Sequence, residues 1–281
     1  MDNLTYWKDK WIEVGSEYIL NKKTTNEAIE IWNESSKNYN GMVDIDRIDT
    51  VINKLENEGY INEDSVVLDL GCGTGAYPIP LSGICKSVDA LDYSDGMLKV
   101  LQRKISENNI NNIDIIKNNW NDLDLKKEGM YKKYDFVVCS LNPGCYNPTN
   151  LLKINEASKY GCCYISTDGK GKNERLEEAD NIILGEKITT TDISNIIYPF
   201  NVLHFSNYNP SIFYVPCNWI VKSDYDKAVK KLTNRYKDYV DIDKDIEGNI
   251  KKFVKDNIIE DVFLEESKNT LGVITWKVVD S

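Results

Sequence analysis

The chain has 281 residues, a formal net charge of −11 and 41% hydrophobic residues, which suits one large folded domain or a core with an attached subdomain. Its acid excess argues against nucleic acid as the main partner, because phosphate binding draws affinity from clustered Lys and Arg, and Lys126-Lys127 and Lys230-Lys231 lie among acids as solvated helix faces do. No apolar run approaches the roughly 20 residues that cross a bilayer, and Met-Asp-Asn-Leu-Thr lacks the basic and apolar regions of a signal peptide, so a cytoplasmic location is expected.

Residues 1–60 read as a helical cap. Thr24 and Glu27 form a capping box ahead of Ala28, Ile31, Trp32, Ser35 and Tyr39, which recur at helical spacing. Ile45, Ile48, Val51, Ile52 and Leu55 mark a second amphipathic helix, ended near Gly59. From residue 61 onward strand alternates with helix, the pattern of a parallel sheet covered on both faces. The strands are expected at 66–70, 88–91 (followed by Asp92), 113–116, 135–139 and 162–166. Pro78 and Pro80 sit in a short helix after the first strand, and Ser94 caps the helix that carries Met97, Leu98, Leu101 and Ile105. Residues 193–205 read as the last core helix, 207–210 as a turn, 212–221 as strand six and 270–279 as strand seven. Between these two strands, residues 223–269 form a long connection with helices at 223–240 and 246–259, a helical insertion. The seven cysteines form no regular framework and fit reduced thiols, and Cys139, Cys162 and Cys163 fall inside apolar runs.

The first strand carries the chemistry. Val66-Val67-Leu68-Asp69-Leu70-Gly71-Cys72-Gly73-Thr74-Gly75 is an apolar strand with an acid that runs straight into alternating glycines. Such a turn bends sharply and lets its backbone approach a ligand that a β-carbon would obstruct. A carboxylate two residues before the first glycine opposes bound phosphate and attracts a cation. On these residues the chain resembles the class I S-adenosylmethionine-dependent methyltransferases, whose first motif D/E-x-G-x-G-x-G is complete as Asp69-Leu70-Gly71-Cys72-Gly73-Thr74-Gly75. Gly71, Gly73 and Ala76 also satisfy the looser pattern of nicotinamide-dependent oxidoreductases, and a noncatalytic cofactor-binding protein is the other alternative.

The resemblance implies an α/β fold: a doubly wound, mostly parallel seven-stranded sheet with the helical cap at its N-terminus and the insertion before its last strand. It implies S-adenosylmethionine as cofactor, held by the glycine turn with Cys72, by Asp92 on the ribose hydroxyls, by Tyr93 beside the adenine, by Asn119 on the adenine amino group, by Trp120 as a flat wall and by Ser140. Asn119 is the best match by position, in a register that is open by one residue, and Trp120 also reads as core. Residues 140–145, which include Asn142 and Cys145, enter the region where donor and acceptor meet. Relatives that methylate nucleobase amines or protein glutamine carry N/D-P-P-Y/F there, whereas this chain has Asn142-Pro143-Gly144-Cys145 and lacks the stacking residue. A small-molecule acceptor is therefore expected, with no membrane partner. Trp32 and Tyr39 lie two helical turns apart, as lid residues or as packing on the sheet, and Trp7, Trp11 and Tyr18 extend the aromatic run. His204, the sole histidine, reads either as a base or as structural, and Asp168 either orients substrate or caps a turn. Cys145, Cys217 and His204 match no familiar zinc spacing, so no metal is expected.

Overall fold

The computed structural model describes residues 2–16, 23–37, 45–188, 193–237 and 239–278. The strands are β1 (Val66–Leu70), β2 (Ser87–Asp92), β3 (Ile113–Lys117), β4 (Tyr134–Ser140), β5 (Ser158–Thr167), β6 (Ser211–Ser223), β7 (Ile258–Ile259) and β8 (Val262–Lys277). Seven of them lie in the order β3-β2-β1-β4-β5-β8-β6, and the two-residue β7 pairs with β8 off this path. The first five are mutually parallel, and β8 runs antiparallel to β5 with Cys162 opposite Trp276. This is the expected doubly wound sheet. Strand β1 lies in the sheet's interior with Val67, Leu68 and Leu70 fully buried, as a strand covered by helices on each side requires. The order places β2 and β3 to one side of β1 and β4 and β5 to the other. The crossovers therefore diverge at the C-terminal ends of β1 and β4, where open α/β sheets leave a crevice.

By contact density the chain falls into two compact units. The first comprises Met1–Lys170, Asp192–Pro216 and Thr270–Ser281. Its N-terminal part forms α1 (Asn3–Ser16), α2 (Thr25–Ser35) and α3 (Ile45–Asn57). The capping box at Thr24 and Glu27 is present at the start of α2. On α3, Ile48, Val51, Ile52 and Leu55 form a buried stripe, each contributing about 1.5–3 kcal/mol by leaving water. The sheet crossovers supply α4 (Pro78–Ser82) and α5 (Asp95–Glu107), whose cap is Ser94. An additional helix, α6 (Pro148–Ala157), fills the β4-to-β5 crossover behind an Asn147 cap.

The helix read over 193–205 begins only at residue 197. The reason is visible in the preceding four residues. Ile193 O accepts the indole N–H of Trp11 at 3.0 Å, Ser194 O accepts the Ser166 hydroxyl, and Ile196 N donates to Thr167 O at 2.8 Å. These backbone groups bridge α1 to β5 and are unavailable to a helical ladder. Trp11 is completely buried there and stacks on Tyr198 with 6.3 Å between ring centroids.

The second unit comprises Gly171–Thr191 and Cys217–Asn269, so β6 and β8 contribute residues to both units. It holds α7 (Glu174–Leu184), α9 (Tyr225–Tyr236) and α10 (Lys244–Asp256), while α8 (Ile197–Phe205) belongs to the first unit. Its core gathers Ala179, Leu232, Ile250, Phe253, Val254 and Phe263. Two acids are buried within it with their partners. Asp180 accepts Arg235 Nε and Nη2 at 3.0 and 2.8 Å and Tyr236 Oη at 3.0 Å, and Glu265 accepts Lys231 Nζ at 2.7 Å. No helix among the described residues is long and apolar enough to cross a membrane.

Candidate active site

The crevice at the switch point is built by the turn that leaves β1. Gly71, Gly73 and Gly75 have φ of +80°, +52° and +94°, in the left-handed region where a β-carbon is unfavourable. Space imposes the same demand at two of them. A β-carbon on Gly71 would lie 2.6 Å from Asn142 Nδ2, and one on Gly75 would lie 2.6 Å from Leu101 Cδ1. The turn is tied to β2 through Gly71 N and Cys72 N, which donate to Leu91 O at 2.8 and 3.0 Å.

Asn142 closes the opposite side. Its Nδ2 donates to Leu70 O at 3.1 Å and its Oδ1 accepts Gly144 N at 2.9 Å, so both ends of its amide are engaged within the protein. The preceding Leu141 has φ +49°, a strained value for a side chain of its size, and is held by its N–H to Ile165 O at 2.9 Å. Between the β1 turn and this loop lies a cleft of about 590 Å³, counting its open mouth.

Asp92 ends β2 inside the cleft. Its Oδ2 accepts Gly73 N at 3.0 Å and its Oδ1 accepts Ser94 N at 2.8 Å, which fixes the carboxylate and leaves lone pairs for two hydroxyl donors. Trp120 and Asn119 stand at the end of β3, and Trp32 reaches the cleft from α2. The docking of α2 depends on Asn33, whose Oδ1 accepts the Ser94 hydroxyl at 2.9 Å and Gly96 N at 2.8 Å.

Asp69 lies beneath the turn, 2% exposed. Burial, aided by the negative charge of Asp92, pushes its carboxyl up to about 8. Burial also raises Asp92 itself, against the lowering effect of its backbone N–H partners. Among the described residues, no hydrogen bond reaches the Asp69 side chain, and no Lys, Arg or His lines the cleft. Two crowded acids without a counter-ion suit a ligand that brings a cation, and they oppose one that brings phosphate.

Of the residues singled out from the sequence, Gly71, Gly73, Asp92, Tyr93, Asn119, Trp120, Ser140, Asn142 and Trp32 converge on the cleft wall. Gly75 and Cys72 support the turn from behind, and burial pushes the Cys72 thiol up. The Asn119 side chain closes a local turn, donating to Asp122 Oδ2 at 2.7 Å and accepting Asn121 N at 3.1 Å. Cys145 is fully buried and its carbonyl accepts Tyr164 Oη at 3.4 Å. His204 is exposed on α8 beside Phe200 and Phe205, outside the cleft lining. Asp168 sits in a turn, where its Oδ1 accepts Lys170 N at 2.9 Å. Tyr39 and Tyr18 lie outside the described residues.

Leu91, Met97, Leu141, Pro143 and Gly144 complete the lining. Leu91 and Met97 flank the acid and its helix cap, so placing Asp92 was signal enough for both. Leu141, Pro143 and Gly144 lie in the 140–145 segment that the sequence already assigns to the region where donor and acceptor meet.

Residues 67–157 match the family model described as a methyltransferase domain. Over 99 residues the chain is 40% identical to a probable cobalt-precorrin-6B C(15)-methyltransferase (decarboxylating) of Methanocaldococcus jannaschii, covering 35% of this chain and 50% of that protein. Over 155 residues it is 25% identical to a malonyl-[acyl-carrier protein] O-methyltransferase of Priestia megaterium, covering 52% of each. The chain thus spans about half the length of these curated relatives. A solved structure from work on the conversion of a disulfide bond into a thioacetal group during echinomycin biosynthesis shares the fold, with a TM-score of 0.51 at 18% identity over 82% of each chain. The matched residues 67–157, which include the glycine turn, Asp92, Trp120 and the 140–145 loop, are thus similar to a methyltransferase domain.

Proposed function

We propose that the chain binds S-adenosylmethionine and transfers its methyl group in line to a small-molecule acceptor. The observation that carries this reading is the pairing of Asp69, buried without a hydrogen-bond partner among the described residues, with Asp92 fixed at the cleft wall. Asp69 is suited to the ligand's ammonium group, Asp92 to the ribose hydroxyls, and Trp120 with Leu91 and Tyr93 to the adenine face. Gly71 and Gly73 allow the backbone to come close. The cofactor supplies a methyl group made electrophilic by a sulfonium.

The protein's part is then mainly positioning and exclusion of water. Trp32 covers one side of the cleft, and residues 140–144 form the edge at which an acceptor would approach. A small acceptor is supported by the net charge of −11, by the missing stacking residue after Asn142-Pro143, and by the engagement of the Asn142 amide with Leu70 and Gly144. The name of the Methanocaldococcus jannaschii relative is in keeping with such an acceptor.

Isothermal calorimetry with S-adenosylhomocysteine tests the cofactor assignment, and incubation with S-adenosylmethionine and a metabolite extract, read for the mass gain of one methyl group, tests the acceptor class. Binding of NADH without competition from S-adenosylhomocysteine would overturn the first. Methylation of free RNA or protein with no small acceptor would overturn the second.

A further inference from the structure

The two walls of the cleft are separate in sequence, one following β3 and the other following β4, yet one residue of α6 holds both. Asn150 Nδ2 carries two protons. One goes to Asn121 Oδ1 at 2.5 Å and the other to Gly144 O at 2.7 Å. The carbonyl at Gly144 accepts only, so the orientation of this amide is dictated by its partner. The backbone carbonyl of Asn150 accepts the Trp120 indole N–H at 3.2 Å. One turn further along α6, Lys153 Nζ donates to Trp120 O at 2.7 Å and to Leu123 O, and lies 4.7 Å from the centre of the Trp120 ring. The helix is fixed in turn by its cap, where Asn147 Oδ1 accepts Asn150 N at 2.9 Å.

We infer that Asn150 is a positioning residue that ties the Trp120 wall to the 143–145 turn, so that seating a cofactor against Trp120 orders the edge at which the acceptor approaches. This inference rests on the proposed function for the identity of the ligand, while the tie itself is a property of the free protein. Neither Asn150 nor Lys153 lines the cleft. The amides of Gly144, Cys145 and Tyr146 are all bonded within the turn, to Asn142 Oδ1, Asn142 O and Pro143 O, so their hydrogen exchange reports whether it is closed.

Exchange is measured by mass spectrometry on the full chain with N150A, N150D, K153M and the double variant N150A/K153M. N150D keeps the side-chain shape and removes both donated protons, which separates hydrogen bonding from volume. In the free protein, N150A and N150D should each speed exchange of the turn amides about five- to tenfold, as the loss of a hydrogen bond or two implies. K153M should speed the same amides although Lys153 does not touch them, and should add nothing once Asn150 is absent. Equal effects of K153M with and without Asn150 would overturn the inference, as would an unaltered turn in N150A and N150D. So would a rise shared equally by the β4 core amides, because general loss of stability would then explain everything. With S-adenosylhomocysteine, the unsubstituted chain should gain protection both at 71–75 and at 144–146, and N150A only at 71–75. Equal gains at 144–146 in both proteins would overturn the inference. Failure of S-adenosylhomocysteine to bind the unsubstituted chain would instead overturn the proposed function, and the exchange results on the free protein would still decide whether the tie exists.

Discussion

Replacing Asp69 by Asn should make the unliganded protein more stable and its cofactor affinity weaker. A carboxyl held at about 8 in the folded chain, against 3.8 as its ordinary value, binds its proton more tightly when folded. Folding therefore takes up a proton, and the stability of the unliganded protein falls as pH rises from about 4 to about 8. At ~1.4 kcal/mol per pH unit, the roughly three units between the ordinary value and pH 7 amount to an upper bound of about 4 kcal/mol. Asn has the same shape and no charge to desolvate, so D69N should recover much of that amount at pH 7. The corresponding rise in melting temperature is on the order of 10 °C, and it should vanish near pH 4. A hydrogen bond to a charged group contributes about 1.5–3 kcal/mol, so binding of S-adenosylhomocysteine should weaken roughly 10- to 100-fold. Thermal melts from pH 4 to 8 and calorimetric titration read the two effects. Melts that place D69N below the unsubstituted chain at pH 7, or an unchanged affinity, would refute the reasoning.

D92N puts an amide N–H₂ against one of the two backbone donors at Gly73 and Ser94, and calorimetry should show S-adenosylhomocysteine bound at least tenfold more weakly. G71A places a methyl group 2.6 Å from Asn142 Nδ2 at φ +80°, so cofactor binding should be lost, and a variant that binds normally would show that the turn can move aside. In the second unit, D180N removes the charge that holds Arg235 and Tyr236, and chemical denaturation should show a loss of about 3 kcal/mol. H204Q alters an exposed ring outside the cleft lining, and S-adenosylhomocysteine affinity should stay within twofold.

The interior parallel strands were legible because their residues are buried on both faces and therefore form short, largely apolar runs, as 66–70 and 135–139 do. Asp92 followed from the end of strand two, where ligands gather, and Trp120 from the resemblance at the end of strand three. Two helices went unread although both carried start signals. Asn147 before Pro148 and Asn173 before an acidic first turn are N-caps, and Gly185 ends the second helix in the left-handed conformation. The early part of β8 was hidden by Glu265, a buried acid that becomes intelligible only beside Lys231, 34 residues away. The contacts that shape the cleft were hidden for the same reason. Asn33 to Ser94, Asn142 to Leu70 and Asn150 to Gly144 depend on which surfaces meet, and side-chain amides carry no periodicity to announce it.

The Ser94 hydroxyl has two tasks: it accepts Met97 N as the cap of α5, and it donates to Asn33 on α2. The cap of α5 and the docking of α2 therefore share one hydroxyl, so a change at Ser94 would weaken both at once. An N-terminal segment grafted from another protein would need its own acceptor for that one hydroxyl and a backbone able to lie against Gly96, and few unrelated segments meet both conditions.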